Sequence, residues 1–141
     1  MFGRNSKNLQ SQEYIYKTRV RYKDIDAMGI VYYSRYYEFF EAARTDMLRD
    51  LGLPYGDFEK SGYTMPVTES RCKYHNSAKF DQLLTIKCLI REKPKARLKI
   101  NYIVKNESER LIAKGYTVHA FLDNKGLIRR APDKFLELFQ S

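Results

Sequence analysis

The chain is built around one short segment, Tyr22-Lys23-Asp24-Ile25-Asp26-Ala27-Met28-Gly29-Ile30-Val31-Tyr32-Tyr33, which runs directly into a predicted helix. The segment contains a pair of carboxylates and a glycine that permits a tight turn. Behind it, apolar residues recur at intervals of three and four, at Tyr36, Phe40, Ala43, Met47 and Leu51, with Phe39 and Leu48 beside them. This spacing predicts a core-facing helix of about 17 residues. We expect Ser34 to cap its start and Gly52 to end it.

Strand patterns lie on both sides of this helix. Alternation of Tyr14, Tyr16, Thr18 and Val20 with polar residues predicts a half-buried strand over Glu13–Lys23. Further strands are predicted at Thr64–Tyr74, Leu83–Glu92, Ala96–Lys105, Leu111–Leu122 and Leu127–Arg129, and a short helix at Pro132–Phe139. The predicted fold is therefore α+β, with one long helix wrapped by a single antiparallel meander.

Composition limits the architecture and the compartment. A chain of 141 residues with 43% apolar residues fits one domain, which we place at residues 13–141 behind a flexible polar tail at residues 1–12. Its two cysteines are too few for a disulfide framework and favour a reducing compartment. No stretch resembles a signal peptide or a membrane span, so the sequence predicts a cytoplasmic protein.

The segment from Tyr22 to Tyr33 carries the groups that acyl transfer requires. A carbonyl under attack develops negative charge, and free N–H groups at a helix N-terminus, here near Tyr33 and Ser34, are oriented donors for that charge. Gly29 would let the backbone turn so that Asp26 faces the helix end. The alternative is that Asp24 and Asp26 only cap a turn, as Asx residues often do.

The stretch Arg21–Tyr33 and the aromatic helix behind it resemble the signature of the 4-hydroxybenzoyl-CoA thioesterase family of hotdog-fold acyl-CoA thioesterases. The resemblance continues through Met65-Pro66-Val67, Phe80-Asp81-Gln82-Leu83-Leu84-Thr85-Ile86 and the Asn124-Lys125-Gly126 turn, so it covers nearly the whole domain. It implies a hotdog fold whose subunits form a homodimer or homotetramer, with the thioester held at a subunit interface. Coenzyme A would be part of the substrate, and no cofactor or metal is implied.

The resemblance also implies roles for single residues. Asp26 lies where the family has its catalytic Asp, which either attacks the thioester carbonyl or activates a water molecule. Asp24 would be structural. Many acyl-CoA thioesterases of this group carry a His where this chain has Tyr33, so Asp26 would act with water alone, or Tyr22 and Tyr33 would assist by hydrogen bonds.

Other chemistries have weaker support in the sequence. Hotdog hydratases use an Asp or Glu together with a His, and no His precedes His75. We interpret His75 and His119 as satisfied strand residues, and a zinc site from Cys72, His75, Cys88 and His119 is disfavoured by their spacing. The sequence contains no nucleophile elbow, phosphate-binding glycine loop or dinucleotide fingerprint.

The formal charge of +9 predicts an anionic partner. Basic residues gather around one hairpin and at a second spot, and we predict that Arg91, Lys93, Lys95, Arg129 and Arg130 bind the phosphates of coenzyme A. The alternative is a non-catalytic module that binds acyl-CoA, an acyl-carrier protein or nucleic acid. Nucleic acid is disfavoured because Tyr102 falls on the opposite strand face from Arg97 and Lys99.

Overall fold

The long helix is the central element of the protein. The structure, a computed structural model, describes residues 13–139. Helix α1, Arg35–Asp50, buries the predicted stripe of Tyr36, Phe39, Phe40, Ala43, Met47 and Leu48. Gly52 follows with φ +82°, as predicted for a helix end. The predicted cap is wrong, because the Ser34 side chain makes no capping hydrogen bond and its backbone is already helical.

The remaining elements are mainly strands. Their bounds are β1 Glu13–Arg19, β2 Val67–Tyr74, β3 Leu83–Leu89, β4 Arg97–Lys105, β5 Leu111–Leu122 and β6 Ile128–Arg129, with two short helices, α2 Tyr55–Lys60 and α3 Asp133–Leu136. Inward and outward residues alternate along β4 as predicted, with Leu98, Ile100, Tyr102 and Val104 buried. The α+β hotdog architecture predicted from the sequence is confirmed, with all strand pairs antiparallel.

The order of the strands differs from a simple meander. The sheet runs β1-β3-β4-β5-β2, with β6 paired to β5, so consecutive strands are neighbours from β3 to β6, whereas β1 and β2 are not neighbours. The segment between β2 and β3 explains this difference. The Val31 N–H donates to the Ala78 carbonyl, and the Val20 N–H donates to that of Gln82. These bonds hold the segment after β2 against the residues that precede α1 and follow β1. The chain thereby reaches the opposite edge of the sheet, where β3 begins beside β1.

The core forms where α1 lies on the inner face of the sheet. The ring of Phe40 stacks on that of Tyr102, with centroids 4.2 Å apart. Gly115 lies directly behind Phe40, and a Cβ atom there would lie only 2.9 Å from the Phe40 ring. The close approach of helix and sheet therefore requires a residue without a side chain at this position.

No helix in residues 13–139 is long and apolar enough to cross a membrane. The predicted tail at residues 1–12 lies outside the described residues, and the predicted domain limits stay a prediction.

Candidate active site

A tight turn before α1 presents Asp26. The Asp26 N–H donates to the Ile30 carbonyl, and the Gly29 N–H donates to the Asp26 carbonyl, both at 2.9 Å. Gly29 has φ +80°, a conformation that favours glycine and that the sequence predicted for this turn. Isolated bridges from Ile25 to Val31 and from Ile30 to Lys79 attach the turn to the body of the protein.

The two carboxylates of the segment have different surroundings. Asp24 is buried; its Oδ2 accepts the Arg21 N–H at 2.8 Å, and its Oδ1 lies 3.6 Å from the Lys23 Nζ. Asp26 is half-buried, and its Oδ1 accepts the Met28 N–H at 2.8 Å. Within residues 13–139, its Oδ2 has no hydrogen-bond partner. Asp26 therefore caps the turn with one oxygen and keeps the other available.

The N-terminus of α1 offers unpaired donors beside this turn. The Tyr32 N–H donates to the Asp24 carbonyl and the Arg35 N–H to the Tyr32 carbonyl, both at 2.9 Å. In the part of the chain that the structure describes, the Tyr33 and Ser34 N–H groups between them have no acceptor. Such groups at the start of a 16-residue helix carry its partial positive charge.

Asp26 and Tyr33 share an open cleft of about 350 Å³. The cleft is lined by the turn, the helix start and the chain that follows β2, namely Asp26, Ile30, Val31, Tyr32, Tyr33, Tyr36, Tyr74, His75, Asn76 and Ser77. A carboxylate and free N–H groups at one apolar cleft are the components of an acyl-transfer site.

Tyrosines form most of the cleft wall. Tyr32 and Tyr33 lie with ring centroids 4.6 Å apart, and the Tyr74 hydroxyl donates to the Tyr33 carbonyl at 3.2 Å. The hydrogen bond to Tyr33, with a smaller contribution from the Asp26 charge, raises the pKa of Tyr32. Burial raises the pKa of Tyr36 to about 12. The phenols of Tyr32 and Tyr36 are therefore neutral hydrogen-bonding groups at physiological pH.

The predicted site residues are only partly brought together. Asp26 and Tyr33 line the cleft, Gly29 shapes the turn, and Ser34 contributes the helix start. Tyr22 is 77% exposed and packs its ring edge-on against Phe80, away from the cleft lining. Its predicted hydrogen-bonding role stays a prediction.

The predicted phosphate-binding residues lie in one region at the far end of the sheet. The Ala131 N–H donates to the Lys95 carbonyl, which joins the strand of Arg129 and Arg130 to the start of β4. Arg129 is also engaged by Asp123, with 2.7 Å between Nε and Oδ2. On β5, Ala113 pairs with Tyr74 at the cleft, and Phe121 pairs with Arg129. These two positions are eight residues, or about 27 Å, apart, so this basic region lies far from the cleft of the same subunit.

The histidines and thiols have distinct places. His119 is buried; its Nδ1 donates to the Met65 carbonyl and its Nε2 pairs with the Thr117 hydroxyl, so the prediction of a satisfied strand residue is confirmed. His75 instead lies just beyond β2, exposed at the cleft, so that prediction is wrong for His75. Cys72 and Cys88 are free thiols, and among residues 13–139 no His, Cys, Asp and Glu cluster could hold a metal.

Sequence reasoning missed the part of the cleft that follows β2. Tyr74, His75, Asn76 and Ser77 reach it only because β2 pairs with β5 at the sheet edge. The one available signal was the change from strand pattern to His-Asn-Ser after Tyr74. Phe39 and Phe40 are buried in the core and do not line the cleft.

A family model described as the thioesterase-like superfamily matches residues 20–139. A putative esterase of Aquifex aeolicus is 31% identical over 127 residues, which cover 90% of this chain and 98% of that protein. A putative acyl-CoA thioesterase of Bacillus subtilis, YneP, is 29% identical over 75% of this chain and 77% of its own length.

Solved structures show the same architecture. DHNA-CoA thioesterase from Staphylococcus aureus superposes with a TM-score of 0.77 at 28% identity, over 84% of this chain and 79% of that one. A 4-hydroxybenzoyl-CoA thioesterase shares the fold with a TM-score of 0.82 at 21% identity, over 91% of this chain and 99% of that one.

Proposed function

The chain belongs to the thioesterase-like superfamily, and from this premise we propose that it hydrolyses an acyl- or aroyl-CoA to the free acid and coenzyme A. The observation that carries the proposal is the cleft that is lined both by Asp26 and by Tyr33, which lies just before the start of α1. The names of its relatives support thioester hydrolysis as the reaction.

Asp26 supplies the base or the nucleophile. As a base, it takes a proton from water while the water oxygen attacks the thioester carbonyl; the C–S bond then breaks, and the proton passes to the departing sulfur. As a nucleophile, it attacks the carbonyl carbon, the C–S bond breaks to release the coenzyme A thiolate, and water hydrolyses the resulting anhydride. The Oδ2 atom is suited to both routes, because Oδ1 already accepts the Met28 N–H.

The carbonyl oxygen is polarised at the helix start. Negative charge grows on this oxygen during attack, and the unpaired N–H groups of Tyr33 and Ser34 can donate to it. The positive end of α1 adds to the stabilisation. Removing one such donor typically costs about 100-fold or more in kcat.

The tyrosine wall favours an acyl group with a flat or short body. Aromatic side chains stack on aromatic rings and also hydrogen-bond through their hydroxyls. The similar Staphylococcus aureus protein is named for DHNA-CoA, an aromatic acyl-CoA, which agrees with a preference for a flat acyl group. No cofactor takes part, since coenzyme A is a portion of the substrate.

We further propose that the active unit is at least a dimer. Antiparallel pairing of two β2 edges would place the far end of one subunit's β5 beside the other subunit's cleft. The prediction that Arg91, Lys93, Lys95, Arg129 and Arg130 bind phosphates requires this contact across the interface, and an acyl-carrier protein is the other partner that these residues would fit. The free thiols Cys72 and Cys88 agree with the cytoplasmic location predicted from the sequence.

A substrate panel tests the proposal. Thiol release is measured for aromatic, short, medium and long acyl-CoAs, and we expect turnover of at least one, with aromatic and short acyl groups ahead of long ones. A gel shift with DNA and RNA runs in parallel and should be negative. A protein that releases no thiol from any member but retards nucleic acid would contradict the proposed function and support the binding module.

A further inference from the structure

A second concavity adjoins the cleft on the outer face of the sheet. It measures about 410 Å³ and is lined by residues of β2, β4 and β5 and by His75 just beyond β2; the strand residues are Arg71, Lys73, Asn101, Lys114, Gly115 and Tyr116. His75 lines both this outer recess and the cleft. The two therefore meet at the end of β2.

The register of the strands concentrates positive charge in the outer recess. Lys73 lies directly opposite Lys114, and Arg71 directly opposite Tyr116. Like charges placed opposite each other on neighbouring strands are destabilising unless something compensates them. Among the described residues, Arg71, Lys73 and Lys114 are exposed and form no ion pair with an acidic side chain.

The groups beside the outer recess do not neutralise its basic side chains, which therefore remain able to bind an anion. The nearest acid on β2, Glu69, accepts a hydrogen bond from the Tyr116 hydroxyl, and this bond raises the pKa of Tyr116. Lys99 covers the Tyr116 ring, with its Nζ 4.3 Å from the centroid. Because that face of the ring is occupied, stacking of a nucleic-acid base is disfavoured, and a compact polyanion fits the outer recess better.

The outer recess also lies within reach of a substrate in the cleft. The pantetheine arm between thioester and pyrophosphate has a chain about as long as four extended residues, roughly 14 Å. Arg71 is three residues, or about 10 Å, along β2 from Tyr74 in the cleft wall, and its side chain lies on the opposite face of the strand, so the arm would pass around the end of β2 at His75, which lines both the cleft and the outer recess. The far basic region is about 27 Å away along β5 in the same subunit, so the arm cannot span that distance.

We propose that Arg71, Lys73 and Lys114 bind the nucleotide phosphates of the acyl-CoA whose thioester occupies the cleft of the same subunit. This inference rests on the proposed function for the identity of the anion. Arg and Lys are suited to phosphate through charge-assisted hydrogen bonds. Such contacts lie far from the breaking bond and act alike on ground and transition states, so they lower KM and leave kcat nearly unchanged.

The test compares Lys73→Gln/Lys114→Gln with a control of equal charge change, Lys60→Gln/Lys134→Gln, whose lysines are exposed on α2 and α3. Calorimetric titration with adenosine 3′,5′-bisphosphate needs no turnover. We expect the recess variant to bind it about tenfold more weakly than wild type, as for lost charge-assisted bonds. The control variant should bind as wild type does.

Steady-state kinetics provide the second test. The recess variant should show a raised KM for acyl-CoA with kcat little changed, and an unaltered KM for the acyl-pantetheine thioester, which lacks these phosphates. Unchanged bisphosphate binding, equal weakening in the control, or equal KM effects on both substrates would each overturn the proposal. If wild type hydrolyses no acyl-CoA, the proposed function fails, and the titration still decides whether the outer recess binds phosphate.

Discussion

At the scale of single residues, the two carboxylate oxygens of Asp26 have different surroundings. Oδ1 accepts the Met28 N–H and fixes the turn, whereas Oδ2 faces no partner among residues 13–139. An Asp26→Asn side chain keeps an acceptor oxygen for the turn and loses the negative charge. This substitution therefore separates chemistry from folding, which Asp24→Asn cannot do because Asp24 is buried and bonded at both oxygens.

His119 should make stability depend on pH. Burial lowers its pKa from 6.5 to about 4, so the unfolded chain binds a proton in this interval that the folded protein does not. The free energy of unfolding should therefore fall as the pH drops from 6.5 towards 4, by up to roughly 3 kcal/mol for this group. Urea unfolding at several pH values measures the effect.

The matched control is the exposed histidine. His119→Gln should flatten the pH dependence in this interval, and His75→Gln should leave it as in wild type. Parallel curves for wild type and His119→Gln would show that the buried imidazole does not cause the acid sensitivity.

At the scale of elements, the contact of α1 with β5 depends on Gly115. A Cβ atom there would lie 2.3 Å from the Arg71 carbonyl oxygen and 2.9 Å from the Phe40 ring. Because one of these atoms is backbone, Gly115→Ala should cost about 1–3 kcal/mol in unfolding free energy. The measurement is denaturant unfolding.

Gly56 on α2 provides the comparison, since a Cβ atom there meets nothing within 4 Å. Gly56→Ala should be neutral or stabilising by about 0.5 kcal/mol. A Gly115→Ala variant as stable as Gly56→Ala would contradict the packing described for α1 and β5.

The edge strand β2 should form the dimer contact. The His75 N–H donates to the Ile112 carbonyl, so in this antiparallel ladder the Ser70, Cys72 and Tyr74 N–H groups point to the free edge. Such an edge is a template for pairing with a second strand. Ser70→Pro removes one outward donor without touching the β5 ladder.

We therefore expect wild type and Ser70→Ala to sediment as dimers or larger at micromolar concentration and Ser70→Pro to shift to a folded monomer. A wild-type monomer with full activity would exclude the dimer, and a dimeric Ser70→Pro would place the contact elsewhere.

The local features of these elements could be predicted, and the nonlocal ones could not. The buried stripe of α1, the positive φ of Gly29 and the strand β5 follow from spacing and turn chemistry within a few residues. The position of β2 beside β5 rests on pairs such as Tyr74 with Ala113, which are far apart in sequence. The cleft wall at Tyr74 and the outer recess at Lys73 and Lys114 arise from that pairing, and the change to His-Asn-Ser after Tyr74 is a weak local signal for the first of them.

At the scale of the whole molecule, positive charge lies beside the cleft and also at the far end of the sheet. The outer recess adjoins it in the same subunit, and the region of Arg129 and Arg130 lies at the far end of β5. A net charge of +9 attracts a polyanionic substrate over about 10 Å at 0.1 M salt. In the proposed mechanism the charge assists the binding of acyl-CoA, whereas the bond cleavage would depend on the turn and the helix start.

The most direct measurement is the steady-state hydrolysis of the best acyl-CoA by wild type and by Asp26→Asn, with thermal unfolding of both proteins as the control for folding. We expect Asp26→Asn to keep a melting temperature close to wild type and to lose at least about 100-fold in kcat, as for removal of a general base. A folded Asp26→Asn protein with near wild-type turnover would show that another group breaks the thioester.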